Sequence, residues 1–104
     1  MTNPHPDTIS ALWITLQERR ENPRPGSYTA ELLQAGDDEI AKKVGEEAIE
    51  VILAANAQGT QRLVEEAADL TYHLLVLLLA KGLSWDDVLR ELDARGAGKQ
   101  KGDR

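Results

Sequence analysis

Two acidic pairs of matching spacing, Glu47/Glu50 and Glu66/Asp69, fall on consecutive helical segments of this chain. Positions i and i+3 of a helix face the same way, with Cβ atoms about 5–6 Å apart. Each segment therefore presents two carboxylates to one side, and Glu46 and Glu65 stand next to the two pairs. Two such helices folded against each other gather four carboxylates around one point, which like-charge repulsion opposes. A hard divalent cation resolves the conflict. Oxygen-only ligands suit Mg²⁺, Mn²⁺ or Ca²⁺ rather than zinc.

Composition narrows the class further. The chain has 104 residues, enough for one domain with a modest core. It has no cysteine, which excludes disulfides, thiolate catalysis and cysteine-based zinc sites. Twelve basic against 18 acidic residues leave a net charge of −6, which argues against nucleic-acid and acidic-membrane partners. Met1–Asp7 is polar and proline-bearing, without the apolar stretch of a signal peptide. The most apolar run, Leu74–Ala80, is too short to span a bilayer. A soluble, cytoplasmic protein is expected.

The helical punctuation is clear. Ile9, Leu12, Trp13 and Leu16 form a stripe that predicts a first helix over 8–20, capped by Asp7 or Thr8. The Pro/Gly-rich turn over 22–26 ends it. Ser27 caps a short helix over 28–35, closed by Gly36. Asp37 and Asp38 open a long helix to about Ala57, at the dipole end that favours acids. Gly59 closes that helix, Thr60 caps a fourth over about 61–81, and Gly82 stops it. Ser84-Trp-Asp-Asp87 reads as a capping box for a last helix to about Ala94. No strand pattern competes. The expectation is an all-α bundle of about five helices over residues 8–95, with flexible ends at 1–7 and 96–104.

The second half of the fourth helix, Leu74–Ala80, is apolar all round, more than a small monomer covers easily. A homodimer completes such a bundle, twofold pairing being the commonest arrangement. Enclosure by the other four helices is the alternative.

On the long helix Ile40, Val44, Ala48, Val51 and Ala55 cluster on one face, with Glu47 at its edge and Glu50 and Glu46 further round. On the next helix Glu66 lines up with Leu63, Leu70 and Leu77, so it is expected to point inward, flanked by Asp69 and His73. Solvated glutamates are common on helices, and either acidic pair alone would be read that way. Both pairs leaning inward on consecutive helices read as a metal site. Lys43 is the basic residue of the first acidic face and cannot by itself neutralise four acids. A carboxylate-bridged di-iron pair needs Glu-x-x-His on two helices, a pattern this chain lacks. His73 is read as a core histidine bonded to Asp69.

So acidic a magnesium site typically keeps waters and meets a phosphorylated substrate, which points to metal-assisted hydrolysis. A spare carboxylate then accepts the proton of water. Lys42, Lys43, Arg19, Arg20 and Arg24 are available to grip phosphate.

The stretch Lys43-Val-Gly-Glu-Glu-Ala-Ile-Glu50, with Glu65-Glu-Ala-Ala-Asp-Leu-Thr-Tyr-His73 one hairpin later, resembles the phosphoribosyl-ATP pyrophosphohydrolase family. It carries the E-E-x-x-E … E-x-x-D signature of the MazG-like all-α nucleotide pyrophosphohydrolases, and Ser27-Tyr-Thr29 resembles a segment marking this family among them. The resemblance runs from about Ile9 to Arg95. It implies an ATP-binding, Mg²⁺-dependent homodimer that hydrolyses phosphoribosyl-ATP to phosphoribosyl-AMP and pyrophosphate, the second step of histidine biosynthesis. By motif, Glu47, Glu50, Glu66 and Asp69 correspond to metal ligands. Glu46, Glu47 and Glu50 are the catalytic candidates, Glu46 acting through water as a base or an outer ligand. Lys43, Arg24, Ser27, Tyr28 and Thr29 are the substrate-binding candidates. Some members are fused to a phosphoribosyl-AMP cyclohydrolase domain that this sequence does not show, so that activity is expected on another polypeptide.

Structural roles compete at several of these positions. Ser27 and Thr29 stand where a helix starts and serve as caps, while Tyr28 is open to stacking on a base or to packing. Gly45 costs about 1 kcal/mol inside a helix, and close helix approach is the reason expected for it. Trp13, Trp85 and Tyr72 are read as packing residues. Two rival functions remain: a pyrophosphohydrolase acting on ordinary or damaged nucleotides, and a non-catalytic helical dimerisation module.

Overall fold

The computed structural model describes residues 7–97, and every regular element within them is helical. The order is α1 (Thr8–Glu21), α2 (Tyr28–Ala35), α3 (Asp37–Ala57), α4 (Thr60–Ala80) and α5 (Trp85–Ala97). The segments at 1–6 and 98–104, expected to be flexible ends, lie outside the described residues.

Side-chain caps mark two of these helix starts, α2 and α5. Ser27 Oγ accepts from Ala30 N–H at 3.1 Å and starts α2. At α5 the exchange is reciprocal: Ser84 N–H donates to Asp87 Oδ2 at 2.8 Å, and Asp87 N–H donates to Ser84 Oγ at 3.3 Å. Thr60, expected as a cap, is instead the first residue of α4, and Gly59 with φ +90° holds the cap position. Gly59 has no side chain to cap with, and its positive φ suits a residue without a Cβ. α5 runs three residues past the end expected for it, through Ala97.

α3 and α4, each 21 residues long, form the most extensive helix pair, a hairpin closed at Gln58–Gly59. α1 and α2 lie across it, with α2 touching α1, α3 and α4. The core is Leu16, Leu32, Ile40, Leu75, Val76 and Leu79, with Ile9, Leu12, Trp13, Leu33, Tyr72, Leu77, Ala80 and Trp85 packed against it. Trp13, Tyr72 and Trp85 are thus packing residues, as expected.

The apolar half of α4 is the hub of this core. Leu75 and Val76 are fully buried, and Leu74, Leu77, Leu78 and Ala80 are partly covered. One chain therefore covers most of the segment that was expected to need a partner. The apolar surface left open lies elsewhere: Ile49, Ile52 and Leu53 on α3, Val64 at the start of α4, Ile14 on α1, and Leu83, Leu89 and Leu92 on and before α5.

Two expectations about α3 are corrected. Its inward line ends on Ala54, 1% exposed, while Ala55 is exposed. The line Ile40, Val44, Glu47, Val51, Ala54 alternates steps of four and three, the usual drift of a 3.6-residue repeat, and it includes Glu47. Gly45 is exposed, and a Cβ added there would meet nothing within 4 Å. Close helix approach is not the reason for that glycine.

Candidate metal centre

The hairpin decides which acids meet. Glu47 and Asp69 stand at nearly equal distances from the Gln58–Gly59 turn, on opposite arms. Carboxylate oxygens of Glu47, Glu66 and Asp69 all lie within 4.8 Å of one another. Glu66 is buried at 5% exposure, Glu47 is partly buried and Asp69 opens to solvent. The cluster thus has a buried floor and an open mouth. Glu50 is exposed, one turn along α3 and outside this triad, but its charge reaches both Glu66 and Arg62.

Electrostatics mark Glu66 as the pivot. Burial pushes its carboxyl above the ordinary value; Arg62 opposes the shift, while Asp69, Glu50 and Glu47 add to it. Arg62 Nη2 bonds Glu66 Oε2, and Arg62 Nη1 donates to Glu65 Oε1 at 2.7 Å. On the facing helix Lys43 Nζ lies 3.5 Å from Glu46 Oε1 and 3.8 Å from Glu47 Oε2. Burial draws the Lys43 ammonium down, but Tyr28, Glu46 and Glu47 outweigh it and leave the group above the ordinary lysine value. Among the described residues Lys43 is therefore one of two cations paired with these acids, and Arg62 is the one that sequence reading passed over. The spacing R-x-x-E-E, which puts Arg62 at i−3 and i−4 from two glutamates, was the available signal.

A second network backs the triad. His73, 6% exposed, hydrogen-bonds through Nδ1 to the Asp69 backbone carbonyl at 2.7 Å. A carbonyl only accepts, so Nδ1 carries the proton and Nε2 is left to accept from the Tyr28 hydroxyl at 2.8 Å. The expected His73–Asp69 bond is present, made to the backbone and not to the carboxylate. Tyr28 stacks on Tyr72 with ring centroids 6.1 Å apart, and both rings meet His73 edge-on. Burial raises the Tyr28 hydroxyl above the ordinary tyrosine value, with Lys43 opposing and Tyr72, Glu47 and Glu46 adding. Tyr28 thus packs, and 47% of its surface remains open.

The remaining candidates separate. Thr29 is buried and its hydroxyl bonds the Tyr72 hydroxyl. Ser27 is held as the α2 cap. Arg24 reaches back to Glu18 Oε2 at 3.3 Å, Arg19 pairs with the same glutamate, and Arg20 donates to the Leu79 carbonyl at 3.3 Å. Arg24 and Arg20 tie α1 to the following turn and to α4, while the Arg19 pair stays within α1. Lys43 is the basic candidate that the fold sets among the acids. A groove of about 410 Å³ between α1 and α5, lined by Trp13 and Trp85, contains none of the candidate residues.

The fold is an all-α hairpin whose arms bring three carboxylates together, an oxygen-only set able to hold a hard divalent cation. The family model described as phosphoribosyl-ATP pyrophosphohydrolase matches residues 9–96. A protein from Pelotomaculum thermopropionicum named phosphoribosyl-ATP pyrophosphatase is 53% identical over 89 residues, 86% of this chain and 91% of its own length. Its namesakes from Limosilactobacillus fermentum and Pyrobaculum calidifontis are 49% and 54% identical over 87 residues, 84% of this chain in each case and 82% and 93% of theirs. The chain belongs to the phosphoribosyl-ATP pyrophosphohydrolase family, and it is a hydrolase.

Proposed function

We propose that this protein hydrolyses the α–β phosphoanhydride of phosphoribosyl-ATP, releasing phosphoribosyl-AMP and pyrophosphate, in the second step of histidine biosynthesis. The observation that carries the reading is the convergence of Glu47, Glu66 and Asp69 on the hairpin of a chain in this family. The donors are all oxygen, and one of them is a buried carboxyl crowded by like charge. They fit a hard divalent cation, and Mg²⁺ is the one proposed.

Glu47, Glu66 and Asp69 would hold that ion, with Glu50 completing the set at the mouth. Once bound, it would supply charge neutralisation for the polyphosphate and acidify a water molecule. The chain does the rest. The Lys43 ammonium, held between Glu46 and Glu47, pairs with a phosphate. Glu46, exposed beside it, takes the proton of the attacking water. The half-exposed Tyr28 side chain receives the base, and His73 fixes the stretch of α4 that carries Asp69. Arg24, Ser27 and Thr29 shape the turn and the start of α2 that set Tyr28 in place.

The active form proposed is a homodimer in the cytoplasm. Ile49, Ile52, Leu53 and Val64 make the apolar strip that supports pairing, and the strip borders Glu50. Among the described residues no helix is long and apolar enough to cross a membrane.

A substrate panel tests the assignment. Pyrophosphate release is expected to be far faster from phosphoribosyl-ATP than from ATP or dUTP. Equal rates on all three would replace this reading with a general nucleotide pyrophosphohydrolase. No release from any, with a melting temperature indifferent to divalent ions, would leave a helical dimerisation module.

A further inference from the structure

Arg62 sits where a cation is expected. It lies in the first turn of α4, half exposed, and its guanidinium forks between two carboxylates of unlike surroundings. Glu65 is exposed, and Gln61 Nε2 holds its other oxygen at 3.1 Å. Glu66 is buried and faces Glu47 and Asp69. A carboxylate so placed cannot keep its charge without compensation, and Arg62 provides it through Glu66 Oε2.

We infer that Arg62 is a built-in counter-ion of the acidic centre, which an incoming divalent cation displaces from Glu66 and which then rests on Glu65 alone. The inference builds on the metal-centre reading above. Three features support it. The guanidinium already holds Glu65 at 2.7 Å, so release from Glu66 leaves it with a charged partner. Its side chain is half in solvent, so the move disturbs no core residue. Without Arg62 on Glu66, both oxygens of the buried carboxylate are open to a dication, whereas with it Oε2 is already engaged. Arg62 thereby keeps the metal-free protein folded and makes metal uptake weaker and more reversible.

The test compares metal binding in the full chain, stripped with EDTA and titrated with Mn²⁺ by calorimetry in the absence of substrate. Arg62→Gln is expected to bind Mn²⁺ about tenfold tighter than wild type, the scale of one charge-assisted hydrogen bond removed from competition. Its melting temperature should fall in EDTA and rise further than wild type on adding Mn²⁺. Arg62→Lys keeps the charge but cannot fork between two carboxylates, so its affinity should lie between the two. If Arg62→Gln does not fold, tighter binding by Arg62→Lys supports the inference and equal or weaker binding overturns it. Equal or weaker binding by Arg62→Gln also overturns it, making Arg62 a residue that orients Glu66 for the metal. A wild-type chain that binds no Mn²⁺ at all would instead remove the metal centre itself.

Discussion

At the scale of single residues, Glu66 bears the conflict that defines the site. Burial and three neighbouring acids push its carboxyl up, and Arg62 alone pulls it back. Replacing it by glutamine removes both the charge and a metal ligand. Glu66→Gln is therefore expected to melt no lower than wild type in EDTA, lose the stabilisation by Mg²⁺, and lose more than about 100-fold in turnover. That figure is the upper range for removing a partner one step further from a metal. Differential scanning fluorimetry with and without Mg²⁺, together with pyrophosphate release, checks all three. Asp69→Asn and Glu50→Gln should likewise fold and lose turnover; full activity in both would take the metal role from them. Tyr28→Phe acts differently, because it leaves His73 Nε2 without its donor inside the protein. It should cost about 1 kcal/mol in urea unfolding. Helical spacing turned all four acids toward one point; Glu47, Glu66 and Asp69 meet there, and Glu50 stands exposed outside the triad. The Tyr28–His73 bond was not legible in the sequence, since it joins residues 45 apart, and no local pattern records such a contact.

At the scale of elements, the start of α5 shows how much of a boundary one short motif can set. Ser84 and Asp87 satisfy each other's backbone N–H, and Asp87 is also paired with Arg90. Ser84→Ala should cost about 1 kcal/mol, read from urea denaturation. The bonds from Ser84 and Arg90 hold the Asp87 carboxyl below the ordinary aspartate value. A depressed folded-state value adds stability that is present above the ordinary range, about pH 4, and is lost as pH falls through the lower, folded-state value. The stability difference between wild type and Asp87→Asn should therefore shrink on acidification below about pH 4; a difference that stays constant there would show that the charge contributes nothing. Caps at α2 and α5 and glycines of positive φ at the other breaks made helix order readable, because both are local features that sequence states directly. Tertiary fit is not local. The choice of Ala54 over Ala55 for the buried face of α3 follows from how α4 packs on it. The open space around Gly45 likewise depends on what does not pack there. Gly45→Ala should stabilise the chain by about 1 kcal/mol, since a methyl group meets nothing and the helix gains propensity. If stability rises while activity falls, substrate occupies that space.

At the scale of the whole molecule, the question is where a second copy seats. The all-apolar run of α4 suggested that the partner covers Leu74–Ala80, but α1, α2 and α3 already share in that task. Leu75→Ala, at a fully buried position in the hub, should cost about 3 kcal/mol and lower the melting temperature whatever the protein concentration. The open strip is the better place for a partner. Ile49, Ile52 and Leu53 share one face of α3, and Leu53 and Val64 stand at equal distances from the hairpin turn on facing arms. They are between 48% and 62% exposed, and a contiguous apolar patch of that kind on a small protein marks a contact surface. Twofold pairing of a helical hairpin through such a face builds a four-helix layer. Glu50, between Ile49 and Ile52, would then border the partner. Leu53→Asp should leave the core intact while placing a charge in the contact. Sedimentation velocity should then show wild type as a dimer and Leu53→Asp as a monomer, with turnover reduced in step if the second copy walls the site. The melting temperature of wild type should climb with concentration, and that of the variant should not. A monomeric wild type at micromolar concentration, or a dimer untouched by Leu53→Asp, would move the interface away from this strip and leave its apolar residues without a partner.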